Sequence, residues 1–380
     1  NSRVADVMFD FLAPTLDFNV GAIRLIPTPD ISDQIRKNIS SQAYELVEIA
    51  KNEWDSFETS WDFSRPSLAD FSYGSLKICL QSFAFHRQEM ERRADELTES
   101  INSQLISAYG LNDEENLKST TSELQYLKPN LSTEVRQIIS YAIGCMMGRY
   151  SLDEPGLIYA HAGNVGFDPS RYPSFPADAD GILPVTDQHW FADDAPSRIR
   201  EFLEVVWGPD TLEENFSWLA ESLGPKASET PEETIRRYIA DKFFKDHLQT
   251  YKKRPIYWLF SSGKHKAFEA LVYLHRYNES TLARMRTEYV IPLTAKLSAH
   301  LNKLEEDKDA SDSTTEIKRL EKEIAQVHKQ QVELSRFDEN LRSYADQRIS
   351  LDLDDGVKVN YAKFGNLLAN VKDVTGSSGD

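Results

Sequence analysis

Residues 252–266, KKRPIYWLFSSGKHK, place five cationic side chains around an apolar and aromatic run. Lysine and arginine neutralise the phosphates of a nucleic acid, and short polar side chains in a turn can reach its backbone or its base edges. Three cations precede the apolar run and two follow it. They are Lys252, Lys253, Arg254, Lys264 and Lys266. The residue types of this segment therefore predict contact with DNA phosphates.

Ten residues in and after this segment are the candidate DNA contacts. They are Lys252, Lys253, Arg254, Ser261, Ser262, Lys264, His265, Lys266, Arg284 and Arg286. The alternative interpretation is structural, because charges at strand ends are usually solvated and Arg254 could pair with a carboxylate of residues 151–230. The aromatic residues between the cations favour a buried strand over a stacking surface, since alternating aromatics on a short strand are typical of a core.

The chain as a whole is acidic, with 61 Asp and Glu against 43 Lys and Arg and a net charge of −18. The charge is unevenly distributed, since residues 151–230 carry −11 and residues 242–286 carry +7. The field of the whole molecule therefore favours neither DNA nor an anionic membrane, and a site for a polyanion must be local. The two cysteines, Cys79 and Cys145, are too few for a disulfide framework or a zinc cage, which favours a cytoplasmic protein without a structural metal.

The elements that position the basic segment are mainly helical by their periodicity. Apolar stripes at 43–50, 97–106 and 135–143 predict three helices, and residues 231–250 predict a fourth with Thr230 as its N-cap. Residues 255–260 and 267–274 predict the two strands of a β-hairpin whose turn lies near Gly263.

The two ends of the chain give further patterns. Residues 1–27 predict a short helix, a turn at 13–15 and a strand with alternating Phe18, Val20 and Ile23. From Ser280 onward, leucines at helical spacing predict two long helices that pack antiparallel around a polar turn at 307–314, in the manner of a coiled coil. This pair is either a spacer between DNA-contacting regions or a bundle element that covers an apolar face.

Sequence patterns for enzymatic catalysis do not occur in these 380 residues. We find no nucleophile elbow, Walker loop, dinucleotide fingerprint, paired metal-binding histidines or Pro-Pro dipeptide. The acidic cluster at 352–355 lacks the closing Glu of a calcium loop, so a solvated turn is the better interpretation. Glu316-Ile317-Lys318 has the form of a nuclease motif, but its helical context favours a coiled-coil surface. We therefore expect no catalytic, cofactor-binding or metal-binding residue in this segment.

Several longer segments are similar to one known family. FLAPTLDFNVGAIRLIP at 11–27, NEWDSFETSWDF at 52–63 and ELTESINSQLISAYGLNDEE at 96–115 resemble the region after the catalytic motifs in single-chain restriction-modification methyltransferases. TYKKRPIYWLFSSGKHKAFEALVYLHRYNESTLARMRTEYV at 250–290 and LDLDDGVKVNYAKF at 351–364 resemble PglX, the adenine-specific DNA methyltransferase family of BREX phage-defence systems. The resemblance covers residues 1–370, whereas the methyl-donor and Asn-Pro-Pro-Tyr motifs of the family do not occur.

This resemblance implies the C-terminal, target-recognition side of a larger enzyme that methylates the N6 of adenine. It also implies S-adenosylmethionine as methyl donor in an absent catalytic portion, and a non-palindromic site in double-stranded DNA. The implied partners are other BREX proteins, with an acidic DNA-mimicking phage inhibitor as a further candidate. An alternative function is docking of such proteins by the acidic segment or the helical pair, without base reading.

We therefore expect a mainly α, mixed α+β chain in five parts. Residues 1–30 would end an upstream domain and residues 31–150 would form a helical module. Residues 151–290 would form an α+β DNA-recognition module with the β-hairpin, residues 291–350 the antiparallel helical hairpin, and residues 351–380 a C-terminal tail.

Overall fold

The computed structural model of the chain describes residues 2–12, 20–71, 74–114, 117 and 131–376. It is mainly α-helical with one small antiparallel sheet, as the sequence predicts. The turn predicted at 13–15 and the position of Phe18 lie outside the described residues. Within the described parts, none of the helices combines the length and apolarity that crossing a bilayer requires.

Five α-helices precede the sheet in the described part of the chain. They are α1 (Arg3–Leu12), α2 (Val20–Arg24), α3 (Asp33–Asp55), α4 (Leu76–Ala108) and α5 (Leu131–Met146). The predicted stripes of the second and third helical patterns face the interior, where Leu97 and Ile106 of α4 and Ile139 of α5 are buried. Cys79 of α4 and Cys145 of α5 are also buried, in the same core cluster as Ile139.

One prediction for this part of the chain is wrong. Val20 and Ile23 belong to helix α2 instead of a strand, and both side chains are exposed. Alternation over so few residues does not distinguish a short helix from a strand. The helix predicted from the apolar stripe at 43–50 is confirmed as part of α3, although no side chain of α3 is buried and Tyr44, Val47 and Trp54 are each more than half exposed.

Polar contacts hold α3 against α4 in place of apolar packing. Arg93 of α4 donates two hydrogen bonds to the carboxylate of Glu45, at 2.6 and 2.9 Å. Arg87 of α4 is buried and bridges Glu53 of α3 to Glu134 of α5. These ion pairs place the loop after α3 beside α5, where it forms one wall of a cavity described below.

The sheet has three antiparallel strands in the order β1–β3–β2. They are β1 (Ile182–Pro184), β2 (Tyr257–Ser261) and β3 (Glu269–Tyr273). The predicted hairpin β2–β3 is confirmed, with Trp258 opposite Val272. Its aromatic side chains belong to the core as predicted; they are Tyr257, Trp258, Phe260, Phe268 and Tyr273. Strand β1 was not predicted, since three residues beside Gly181 carry no measurable periodicity.

Helices α6 (Ala195–Trp207) and α7 (Leu212–Ser222) follow β1 and lead to the helical segment that precedes the hairpin. That segment comprises α8 (Pro231–Tyr238), a π-helical stretch (Ile239–Phe243) and α9 (Phe244–Thr250). The predicted N-cap is confirmed, because the Thr230 hydroxyl accepts from the Glu233 amide and the Glu233 carboxylate accepts from Thr230 in a capping box.

The predicted antiparallel helical pair follows the sheet. Its parts are α10 (Thr281–Arg284), a π-helical stretch (Met285–Val290), α11 (Ile291–Ala310) and α12 (Thr314–Asp346). The polar turn is shorter than predicted, because α11 continues to Ala310 and Ser313 already caps α12. The predicted seam is buried on α11 at Leu293, Leu297, Leu301 and Leu304.

The last elements close over the edge of β2. They are α13 (Gly356–Ala362) and α14 (Val371–Thr375), with a bridge between Leu368 and Phe260 and a hydrogen bond from the Ala369 amide to the Leu259 carbonyl at 2.8 Å. One cluster of buried side chains extends from Phe63 to Val374 and includes the sheet and the helical pair. A small second cluster joins Val4, Ile106 and Leu117.

Candidate nucleic-acid interface

Strand β2 divides the ten predicted DNA contacts into separate groups. Lys252, Lys253 and Arg254 precede the strand, whereas Ser261 is its last residue and Ser262 to Lys266 form the turn after it. Five residues of strand span about 15 Å, so these two groups lie at opposite ends of β2. The remaining two residues, Arg284 and Arg286, lie beyond the hairpin, on α10 and the π-helical stretch.

The group before β2 lies in a tight turn that ends α9. Lys252 and Lys253 both adopt left-handed backbone conformations, with φ of 49° and 62°. The Lys253 amide donates to the Leu248 carbonyl at 2.7 Å, and the Arg254 amide donates to the Tyr251 carbonyl at 2.9 Å. The three side chains are exposed, and among the described residues none of them forms an ion pair with a carboxylate. Their charge is therefore available to a ligand.

His247 fixes this turn to the strand. Its Nε2 accepts hydrogen bonds from the Ile256 amide at 3.0 Å and from the Tyr257 amide at 3.1 Å. Burial lowers the pKa of His247 to about 3, with a further contribution from the charge of Arg149. The ring is therefore neutral at physiological pH, with Nε2 as an acceptor, and it positions the cationic turn without adding charge.

A cavity of about 680 Å³ opens beside the turn. We call it the basal cavity. Its lining residues come from the loop after α3, from the segment that follows α5 and from α9 with the cationic turn. They are Glu58, Thr59, Ser60, Trp61, Phe63, Arg149, Tyr150, Leu157, Thr250, Tyr251, Lys252 and Arg254. The sequence did not predict this site, because its walls are up to about 200 residues apart in the chain.

The turn after β2 is anchored by one carboxylate of α12. Glu333 accepts hydrogen bonds from the Ser262 hydroxyl at 2.7 Å, from the His265 amide at 2.7 Å and from the Ala267 amide at 3.2 Å. The Ser261 hydroxyl donates to Glu269 at 2.9 Å. Two of the predicted contacts, Ser261 and Ser262, therefore have structural partners inside the protein.

A second cavity, of about 610 Å³, lies between this turn and α12. We call it the tip groove. Its cationic and titratable side chains are Lys264, His265, His328, Lys329 and Arg336, with Asn340 and Asn366 beside them. Glu333 also lines the groove, but its oxygens are engaged by the turn. Lys329 and Arg336 were missed as site residues; their seven-residue spacing places them on one helix face, but no local pattern places that face beside Lys264.

Three of the ten predicted contacts are neutralised by carboxylates. Lys266 Nζ lies 2.8 Å from Asp241 Oδ1 and 3.4 Å from Glu269 Oε2. Arg284 pairs with Glu288 at 3.0 Å, and Arg286 pairs with Asp338 at 2.8 Å. These three side chains add little net positive charge to the surface. The cations that remain available from the prediction are Lys252, Lys253, Arg254 and Lys264.

The described residues hold no group of three or more potential metal ligands. The three strands described here are antiparallel, whereas nucleotide cofactors commonly bind where parallel strands lead into helices.

The comparison with known proteins identifies relatives of the chain. No protein-family model matches it. It is 45% identical over 405 aligned residues to the adenine-specific methyltransferase BrxX of Escherichia coli O9:H4 (strain HS), an alignment that covers 100% of this chain and 33% of BrxX. It is 36% identical over 371 residues to the adenine-specific methyltransferase PglX of Lacticaseibacillus casei (strain Zhang), covering 96% of this chain and 30% of PglX.

The chain spans about one third of the length of these curated relatives. The similarity extends over the whole described structure, including both ends of the hairpin. The resemblance to the PglX family that the sequence motifs indicated is thereby confirmed. Over this third of their length, the chain is a homologue of the adenine-specific methyltransferases BrxX and PglX.

Proposed function

We propose that the chain is the DNA-binding, target-recognition part of an adenine-specific DNA methyltransferase of a BREX phage-defence system. The names of the two relatives support the reaction class. The observation that carries DNA binding is the set of cations without carboxylate partners among the described residues, in a chain of net charge −18. Lys252, Lys253 and Arg254 lie at one end of β2, and Lys264 with Lys329 lies at the other.

On this proposal the methyl-transfer chemistry and S-adenosylmethionine belong to another part of the methyltransferase. The present segment binds double-stranded DNA and places the target adenine for that part. Phosphate neutralisation by the available cations supplies affinity, while acidic surfaces elsewhere repel DNA and restrict it to the basic one. An acidic DNA-mimicking phage inhibitor would compete for the same cations, and other BREX proteins would dock elsewhere.

The test is the salt dependence of DNA binding by the purified chain. Binding of a labelled mixed-sequence duplex is measured by fluorescence anisotropy between about 50 and 200 mM salt. The logarithm of the association constant should fall linearly with the logarithm of salt concentration, by about 0.9 per neutralised phosphate. Lys252→Ala with Lys253→Ala should reduce the steepness by about 1 to 2, and so should Lys264→Ala with Lys329→Ala.

The matched control is Lys318→Ala with Lys322→Ala, which changes the net charge equally on an exposed face of α12 outside the tip groove. This control should leave the slope unchanged. Absence of salt-dependent binding, or an equal effect of the control pair, would contradict the proposal.

Protein docking is a second candidate function, because α3 exposes an aromatic face. Tyr44, Val47 and Trp54 recur at helical spacing on a helix without a buried side chain. Such exposed apolar faces on a surface helix are typical of interaction sites. Docking predicts that a partner retained by the wild-type chain after nuclease treatment is lost when Val47 and Trp54 are changed to Asp and Ser, while DNA binding persists.

A further inference from the structure

Trp61 is the most exposed of the large hydrophobic side chains in the described part of the chain. It is 102% exposed, compared with 83% for Phe11 and 62% for Trp54. It lies in the loop after α3 and lines the mouth of the basal cavity. Because its indole is fully exposed, Trp61 contributes no buried apolar area to the stability of the fold. Exposed aromatic faces at a cavity mouth are used to stack planar ligands such as nucleic-acid bases.

The interior of the basal cavity is aromatic and cationic. The Arg149 guanidinium lies over the ring of Tyr150, at 4.7 Å, and over the ring of Tyr251, at 5.5 Å. Arg149 Nη1 donates to the Tyr251 hydroxyl at 2.6 Å. This cation is fixed by its neighbours and stays charged at all physiological pH values. The cavity therefore combines π surfaces with a guanidinium whose charge is balanced by Glu58, 3.6 Å away.

Polar groups surround these aromatic walls. Glu58 is the carboxylate among the lining residues; it accepts from the Ser140 hydroxyl at 2.7 Å and lies 3.6 Å from Arg149. Thr59 and Thr250 also line the cavity, and both residues are exposed. The Thr250 hydroxyl donates to the Asp246 carbonyl at 3.0 Å, so it can still accept a hydrogen bond. At the rim stand Lys252 and Arg254. An aromatic platform, hydrogen-bonding hydroxyls and two rim cations match the base, the sugar and the phosphates of one nucleotide.

We propose that the basal cavity holds a single unstacked nucleotide of DNA, with its base stacked on Trp61 and its flanking phosphates on Lys252 and Arg254. This inference rests on the proposed DNA-binding function and specifies how one end of the hairpin engages the nucleic acid. A volume of about 680 Å³ accommodates a nucleotide, since small-molecule pockets span about 300–1,000 Å³. The energy of unpairing a base is a few kcal/mol, so a base that is already unpaired should bind best.

The experiment compares two duplexes of the same sequence, one fully paired and one with a single bulged adenine. Wild-type chain should bind the bulged duplex more tightly. Trp61→Ala should weaken binding of the bulged duplex by about 5- to 150-fold, the equivalent of about 1–3 kcal/mol per stacked base. Trp61→Phe should retain most of the affinity, because a smaller aromatic ring still stacks.

Trp54→Ala is the matched control, since Trp54 is also an exposed tryptophan but does not line the cavity. Trp54→Ala should change neither the affinity for the fully paired duplex nor that for the bulged duplex. Quenching of indole fluorescence by the bulged duplex should likewise disappear in Trp61→Phe and persist in Trp54→Ala. Circular dichroism of each variant verifies folding. We expect both variants to fold, because Trp61 is 102% exposed and Trp54 is 62% exposed.

Two outcomes separate the inference from the proposed function. If Trp61→Ala binds both duplexes as the wild type does, while Lys252→Ala with Lys253→Ala still reduces the salt slope, the nucleotide site is wrong and DNA binding stands. If the wild-type chain binds neither duplex, both proposals fail.

Discussion

The cations of the hairpin differ in whether a carboxylate of the protein neutralises them. Lys266 lies between Asp241 and Glu269, so its charge is compensated inside the protein. Glu269 is buried on β3, and it also accepts a hydrogen bond from Ser261. Lys264, two positions away, forms no ion pair with a described carboxylate. Two lysines in one turn therefore have different roles: Lys266 forms ion pairs within the protein, whereas the charge of Lys264 is available at the surface.

Glu269 gives a prediction for stability at the residue scale. Burial raises its pKa to about 7, although Lys266 opposes the shift. Between the ordinary pKa of 4.5 and about 7, the folded protein binds more protons than the unfolded chain, so stability falls as pH rises through this range. Ionisation should cost up to about 3 kcal/mol. Urea denaturation from pH 5 to 8 should show this loss, and Glu269→Gln should remove it.

The control for this experiment is Glu321→Gln, which changes an exposed carboxylate of α12. It should leave the pH dependence of unfolding as in the wild type. A Glu269→Gln variant that loses stability over the same pH range as the wild type would show that other groups cause the loss.

Individual helices of similar sequence pattern differ in how they are held. α11 buries its leucines against α12 and the sheet, whereas α3 lies on α4 through arginine–glutamate pairs and side-chain amides. Both helices carry apolar residues at helical spacing, so periodicity alone predicts a buried face for each. Whether another element covers that face is a tertiary property, and for α3 no described element does so.

A pair of alanine substitutions tests this difference at the element scale. Leu297 of α11 is 1% exposed, and Leu297→Ala should reduce the free energy of unfolding by about 2–5 kcal/mol through a cavity and lost burial. Val47 of α3 is 60% exposed, and Val47→Ala should change it by less than about 0.5 kcal/mol. Chemical denaturation measures both. A large effect at Val47 would mean that another part of the protein covers α3.

Sequence reasoning succeeded where the signal is local and failed where the contact is distant. Thr230 and Glu233 form a capping box within four residues, and Gly263 marks a turn between two apolar runs, so both were predictable. The pairing of Lys266 with Asp241, 25 residues away, was not predictable from spacing. The proximity of Lys329 to Lys264 in the tip groove was not predictable either, because only tertiary packing brings α12 to the hairpin.

At the scale of the whole molecule, one core links parts of the chain that differ in composition. The acidic segment contributes β1, the basic segment contributes β2 and β3, and the helical pair covers them through contacts such as Phe268 with Phe337, whose ring centroids are 5.9 Å apart. The acidic and basic segments therefore differ in the charge of their surfaces but share one apolar core. Both ends of the hairpin, which form the proposed DNA surface, depend on this interior for their positions.

Cleavage of the turn between α11 and α12 tests how firmly the shared core holds. A protease site inserted at residues 311–313 lies in an exposed turn outside both helices. After cleavage, the two pieces should elute together in gel filtration without denaturant, because the leucines of α11 pack against α12 and join the core of the sheet. An uncleaved sample is the control. Separation of the pieces in native buffer would indicate a helical pair that contributes little to the fold.

The burial of both cysteines has a practical use. Cys79 and Cys145 are at most 1% exposed, and burial raises the pKa of the Cys145 thiol well above its ordinary value. Maleimide dyes need an accessible thiolate, so we expect the two native cysteines to react very slowly with them. A cysteine introduced at an exposed position can thus carry a fluorophore for single-molecule distance measurements on DNA while the native sequence is otherwise kept.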